Sequence, residues 1–236
     1  MRSLQKFSLH FVTHLHHFSS LRYPRLSPTS SCNKTIKLTE EELNRINLLI
    51  PRLCLSNNLP QAISLVHTAL LTNPPPTSIS LSILVHSLSS DPDLTRPISF
   101  MTRIKHTNPT FLPTISRMFL SSYFKKGQPR NAMKVFKWMT RPDCPDPDHR
   151  FYAVAAGGFC RSGALLESLR AIRLLVGSGF VPGPDLRTQV YGALLRVAMI
   201  KEAQELSEAF SGCTRNGGGG KKVVSLLDNM IACWVE

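Results

Sequence analysis

The sequence predicts an all-α fold: a right-handed α-solenoid of about five helix-turn-helix repeats of 35 residues, followed by a C-terminal capping helix. Apolar residues closing the first half of five blocks (Leu53, Leu88, Tyr123, Phe159, Leu194) follow one another at steps of 35, 35, 36 and 35. Small residues or Pro nine positions later (Ala62, Pro97, Ala132, Ser168, Ala203) keep those steps, as do the mostly Leu-like positions between them (Leu59, Leu94, Pro129, Leu165, Ile200). Within each block, apolar residues recur at helical spacing and strand-like alternation is scarce. Self-similarity at such a period marks units that bury their apolar faces only by stacking on a neighbour.

Residues 1–39 stand apart. They hold six of the 28 Lys and Arg and none of the 15 acids, with Leu4, Phe7, Phe11, Leu15 and Phe18 spaced among Ser and His. An acid-free, Arg- and Ser-containing start of this kind has the character of an organelle transit peptide; the interrupting histidines exclude a secretory core. The early Arg2 and the alternation of basic and apolar residues favour the mitochondrion over the chloroplast. No stretch approaches the roughly 18 apolar residues of a membrane span.

The first hairpin begins at Thr39, whose side chain is placed to cap a helix over 40–55, with Glu40, Glu41 and Glu42 at the positive end of its dipole. Pro51 is expected to distort that helix. After Ser56-Asn57-Asn58 a second helix runs over 59–71, with Pro60 tolerated in its first turn, and Asn73-Pro74-Pro75-Pro76 ends it. Helices over 78–89 and 94–106 form the second hairpin, its turn made irregular by Asp91-Pro92-Asp93. Helices over 113–126 and 129–140 turn at Gly127, and those over 149–161 and 164–177 turn at Gly163. A fifth pair covers 186–197 and 200–211. Residues 212–222, with four consecutive glycines from Gly217, read as a loop, and 223–236 as the helix capping the open end of the stack.

The fourth unit carries Phe151-Tyr152, then Gly158-Phe159-Cys160-Arg161-Ser162-Gly163, Leu165, and Gly179-Phe180-Val181-Pro182. The third adds Lys126-Gly127, Ala132, Val135-Phe136 and Trp138-Met139. These blocks resemble the pentatricopeptide repeat, and the resemblance covers about residues 43–211. It implies a plant organellar protein that binds single-stranded RNA one base per repeat, reading each base with a polar residue on the first helix and the residue closing the repeat. Carried over, those positions are Asn47 with Thr77, Ser82 with Leu112, Arg117 with Asp148, and Ala153 with Gly183. The fifth unit supplies Thr188. Leu112, Ala153 and Gly183 have no side chain able to read a base edge, and Arg117 and Asp148 are able to pair with each other, so sharp base discrimination is not expected.

Between Leu94 and Pro142 lie ten basic residues and no acid. Such a block favours phosphate contact, which gives affinity without sequence information; Arg103, Lys105, Lys134 and Lys137 are the expected phosphate ligands. Lys125, Lys126 and Arg130 fall at a hairpin turn and are expected to meet a backbone edge or solvent. No catalytic residues, metal ligands or cofactor site are expected. The six cysteines are scattered without a C-x-x-C pair, the Gly-Lys run lacks the remainder of a phosphate-binding loop, and the Asp143, Asp146 and Asp148 cluster is interrupted by prolines. The expected partner is single-stranded RNA, bound by a non-catalytic clamp that assists RNA splicing, processing or stabilisation. With only five units, a self-dimer or a second RNA-binding protein is expected to add affinity. The alternative is a protein-interaction solenoid attached to the organellar ribosome or another complex.

Overall fold

A computed structural model describes residues 38–72, 76, 79–91, 93–216 and 219–234. The expected targeting segment lies almost wholly outside the described residues, and Thr77 lies outside them too. Among those described, the chain is all helical with no strand: α1 (Glu40–Leu55), α2 (Leu59–Leu70), α3 (Ser82–Leu88), α4 (Thr95–Thr107), α5 (Leu112–Lys125), α6 (Pro129–Met139), α7 (His149–Arg161), α8 (Leu165–Gly177), α9 (Pro184–Arg196), α10 (Ile200–Asn216) and α11 (Gly220–Ala232). A short 3₁₀ turn, Pro109–Phe111, precedes α5. The helices pack mostly on near neighbours. Each odd-numbered helix from α1 to α7 contacts its own hairpin partner and the next odd-numbered helix.

The turn inside each hairpin fixes that register. Asn57, Gly127, Gly163 and Ala198 have φ of 56°, 65°, 78° and 61°, left-handed values that release the chain from the helix. The next amide then reaches back five residues: Asn58 N–H to Leu53 O at 2.8 Å, Gln128 to Tyr123 at 2.9 Å, Ala164 to Phe159 at 2.9 Å and Met199 to Leu194 at 3.1 Å. The acceptors of these closing bonds are the residues whose spacing marks the repeat. Tyr123, Phe159 and Leu194 are fully buried, as are Ala62, Ala132 and Ser168 in the facing helices. The intermediate Leu-like position matters less, since Ile200 is exposed.

In the sequence register the second unit carries Pro92 where Gly127 and Gly163 stand, a residue type whose ring does not take left-handed φ. Its hairpin is secured from outside. Lys126 Nζ donates to His86 O at 2.6 Å, Ser90 Oγ at 2.7 Å and Ser89 Oγ at 2.8 Å, and Ser89 Oγ lies 2.6 Å from Ser122 Oγ. A cation on the last carbonyls of α3 also suits the negative end of that helix. Burial lowers the pKa of this ammonium.

Several expected boundaries move. The Thr39 capping box forms, with Glu42 N–H donating to Thr39 Oγ1 at 3.2 Å and Thr39 N–H to Glu42 Oε2 at 2.9 Å. The helix expected from residue 78 starts at Ser82 because Asn47 Oδ1 accepts the Ser80 N–H at 2.8 Å and holds the preceding chain out of the helix. The loop expected over 212–222 is largely helical: α10 continues to Asn216 and α11 begins at Gly220. Cys213 packs on the core, and a Cβ on Gly219 would fall 2.7 Å from the Cys213 nitrogen, so the chain reverses against the end of α10. The final helix packs on α8 and α10, placing it beside the second helices of units four and five. Val223, Leu227 and Met230 are buried at i, i+4 and i+7, and Arg173 of α8 pairs with Asp228.

The repeated left-handed turn makes a paired prediction. Ala198 bears a Cβ where the backbone penalises one, so Ala198→Gly is expected to raise the unfolding free energy by about 1 kcal/mol, and Gly163→Ala to lower it by about 1–2 kcal/mol. Urea denaturation checks both, and equal effects would contradict the turn's role.

Candidate nucleic-acid interface

The expected base-reading residues lie on or just before the odd-numbered helices, and most already have structural tasks. Asn47 holds Ser80 as described. Arg117 Nη1 donates to Asp148 Oδ2 at 3.1 Å, while Asp148 Oδ1 accepts the Phe151 N–H at 2.8 Å and caps α7. The pairing of Arg117 with Asp148 weighed in the sequence therefore forms, tying units three and four. Thr188 is exposed, with its hydroxyl donating back to Pro184 O at 3.1 Å. Ser82 is exposed at the start of α3.

The expected phosphate ligands lie on the even-numbered helices. Lys105 Nζ donates to Asp143 Oδ2 at 2.5 Å with only 16% of the side chain exposed, so its charge is already neutralised. Arg103, Lys134 and Lys137 are exposed. Arg103 lies close enough to His67 for its charge to add to burial in lowering that imidazole's pKa.

The exposed cations of α5 and α6 occupy opposite faces. Ser116 of α5 contacts Met101 of α4 and Met139 of α6, so this side of α5 faces the even-numbered helices. Lys125, nine residues on, falls about 180° away at 3.6 residues per turn. On α6, Ala132, Val135, Phe136 and Met139 are buried. Arg130, Lys134 and Lys137 lie within about 60° of one another, centred roughly opposite Ala132. Two packed helices of ~10 Å diameter separate the surfaces, so local contacts on one do not reach the other.

On the odd-helix face an open groove of about 430 Å³ runs between α5 and α7, lined by Phe124, Lys125, Ala153, Val154, Gly157 and Arg161 among others. Its depth depends on Gly157 and Gly158. A Cβ on Gly158 would fall 2.2 Å from the Phe124 ring, which stacks edge-on against Phe159, and one on Gly157 would crowd the Arg161 guanidinium at 3.3 Å. Lys125 thus lines the groove, in contrast to the turn position expected for it, while its neighbour Lys126 points into the polar contacts of unit two.

Lys125, Arg161 and Arg196 occupy one register position at steps of 36 and 35 residues, at or beside the C-terminal ends of α5, α7 and α9, and all three are exposed. Arg196 and Arg161 both lie near enough to the buried Cys160 thiol for their charges to oppose the upward shift that burial gives its pKa. Cys160 Sγ donates to Gln189 O at 3.2 Å, and Arg161 Nη1 to Gln189 Oε1 at 3.4 Å, so α7 and α9 meet directly beneath the two guanidinium groups. Helices in contact lie 8–10 Å apart, setting the approximate pitch of the row. The signal for this row was present in the repeat register.

Among the described residues no group of three or more His, Cys, Asp or Glu is placed to hold a metal ion, and no helix is long and apolar enough to cross a membrane. No protein-family model matches the chain, and a search of curated proteins finds no match.

The double role of Asp148 is separable. Asp148→Ala removes both the α7 cap and the Arg117 partner and is expected to cost about 1–2 kcal/mol. Asp148→Asn keeps an acceptor for Phe151 N–H and is expected to cost less than half as much, because a half-exposed ion pair contributes little. Equal losses in denaturant titrations would assign the energy to the ion pair.

Proposed function

We propose that this chain is a right-handed pentatricopeptide-type repeat array that binds single-stranded RNA along its odd-helix face and assists RNA maturation in an organelle without catalysing a reaction. The supporting observation is the row formed by Lys125, Arg161 and Arg196, one cation in each of units three to five, the first two lining the groove between α5 and α7. Cations repeating with the helices match a phosphate backbone running across the array, and such contacts supply affinity and orientation with no base information. With Asn47 engaged at Ser80 and Arg117 at Asp148, the reading positions add little discrimination, so a partner supplies the choice of transcript. The acid-free segment 1–39 supports delivery to the mitochondrion, with the chloroplast as the alternative.

A protein-interaction reading draws on one feature. Tyr191, Leu195, Val197 and Ile200 are exposed in unit five, whereas the α7 residues in register with the first two, Ala156 and Cys160, are buried. A further helical unit from a partner would cover that end.

Binding of the full chain to fluorescent unstructured RNA at several salt concentrations tests the RNA reading. Replacing Lys125, Arg161 and Arg196 together by Gln is expected to weaken binding by roughly tenfold and to reduce the log–log salt slope by about 2. Unchanged affinity and slope would remove the odd-helix face as the RNA surface.

A further inference from the structure

The outer face of α6 is left unused by the odd-helix reading. Arg130, Lys134 and Lys137 stand at i, i+4 and i+7 on it, spanning about 10 Å along the helix, and Arg141 follows in the turn just beyond; all four are exposed. Two carboxylates border this stripe, and both have other partners. Asp93, near Lys134, accepts from Thr95 N–H at 3.0 Å and Thr95 Oγ1 at 2.7 Å. Asp143, near Arg141, is the partner of Lys105. Their pKa values are lowered, Asp93 chiefly by the Thr95 hydrogen bonds and Asp143 by that from Lys105.

The surroundings choose between a nucleic-acid and a protein occupant. Protein interfaces are built on apolar and aromatic cores and are depleted in Lys. Among the described residues, the exposed large apolar side chains fall between Leu48 and Ile83 or between Phe180 and Trp234, with none in the intervening stretch that carries the stripe. Trp138, the large aromatic of α6, is 8% exposed. The surface therefore offers positive charge at regular intervals without an apolar anchor, which suits a phosphate backbone and provides no base readout.

We propose that the outer face of α6 is a second phosphate-contact surface, independent of the odd-helix face, so that one chain holds two segments of RNA on its opposite sides. The proposal rests on the odd-helix reading for the first segment only. The thickness of the hairpin keeps the two contacts apart, and the protein acts as a bridge that raises the local concentration of one segment near the other.

A two-strand capture experiment tests it. The full chain is loaded onto an immobilised unstructured RNA, washed, and offered a second, fluorescent unstructured RNA. The wild type is expected to retain the second RNA. A variant carrying Arg130→Gln, Lys134→Gln, Lys137→Gln and Arg141→Gln is expected to keep the first RNA and to lose the second by at least tenfold, with the salt slope of second-strand capture falling by about 3. A charge-keeping set (Arg130→Lys, Lys134→Arg, Lys137→Arg, Arg141→Lys) is expected to restore capture, which separates charge from folding. Equal capture by the wild type and the Gln variant overturns the proposal, as does a wild type that takes no second RNA. Poly-glutamate retained by the wild type and lost by the Gln variant, with RNA capture unchanged, overturns it in favour of an acidic protein. Failure of the odd-helix reading gives a different pattern: the variant at Lys125, Arg161 and Arg196 binds RNA as the wild type does, while the α6 variant does not bind.

Discussion

One backbone event recurs through this molecule and sets its geometry. After the first helix of a hairpin, a residue turns left-handed and the following amide closes on an apolar residue five positions back. Asn57, Gly127, Gly163 and Ala198 make that turn, and Leu53, Tyr123, Phe159 and Leu194 accept the closing bond. The event ends one helix and aims the next so that both apolar faces meet a neighbouring hairpin. A hairpin alone would leave those faces in water, which is why helical repeats gain stability from nearest-neighbour packing. Unit two differs in sequence at this position. The sequence register puts a proline where the other units turn, and Lys126 of the next unit bonds to the end of its first helix.

That architecture also decides which charges act together. A hairpin two helices thick has two solvent faces, and residues close in sequence are sent to different ones. Lys125 lines the groove between α5 and α7, and Lys126, about 100° further round, is drawn into hydrogen bonds with unit two. Lys105 contacts Asp143, 38 positions away, leaving it half of a neutral pair. Among the exposed cations, Lys125, Arg161 and Arg196 form a row on the odd helices and Arg130, Lys134 and Lys137 a stripe on α6, and each set carries its own expectation for binding.

The helices and turns were legible because each depends on local chemistry: a capping Thr39, glycines at Gly127 and Gly163, and apolar residues at helical spacing. Ala198 was not legible as a left-handed residue, since the closing bond to Leu194 overrides its ordinary preference. The reversal at Gly219 was hidden for a similar reason. Four glycines read as a loop, yet packing of Cys213 and of Val223, Leu227 and Met230 extends helix to both sides of it. The cations of the candidate surfaces were legible in composition, but the faces they occupy were not. An acid-free block names its cations without saying which face each occupies, and only the repeat register aligns Lys125 with Arg161 and Arg196.

The central claim is that RNA lies across successive odd-numbered helices. Photocrosslinking of the full chain to unstructured RNA carrying a photoreactive base, followed by mass spectrometry of the crosslinked peptides, measures this directly. The account predicts crosslinks in the segments that end α5, α7 and α9, around Lys125, Arg161 and Arg196, with any α6 crosslinks lost separately in the variant lacking its four cations. Crosslinks confined to other parts of the chain, with none in those three segments, would contradict it.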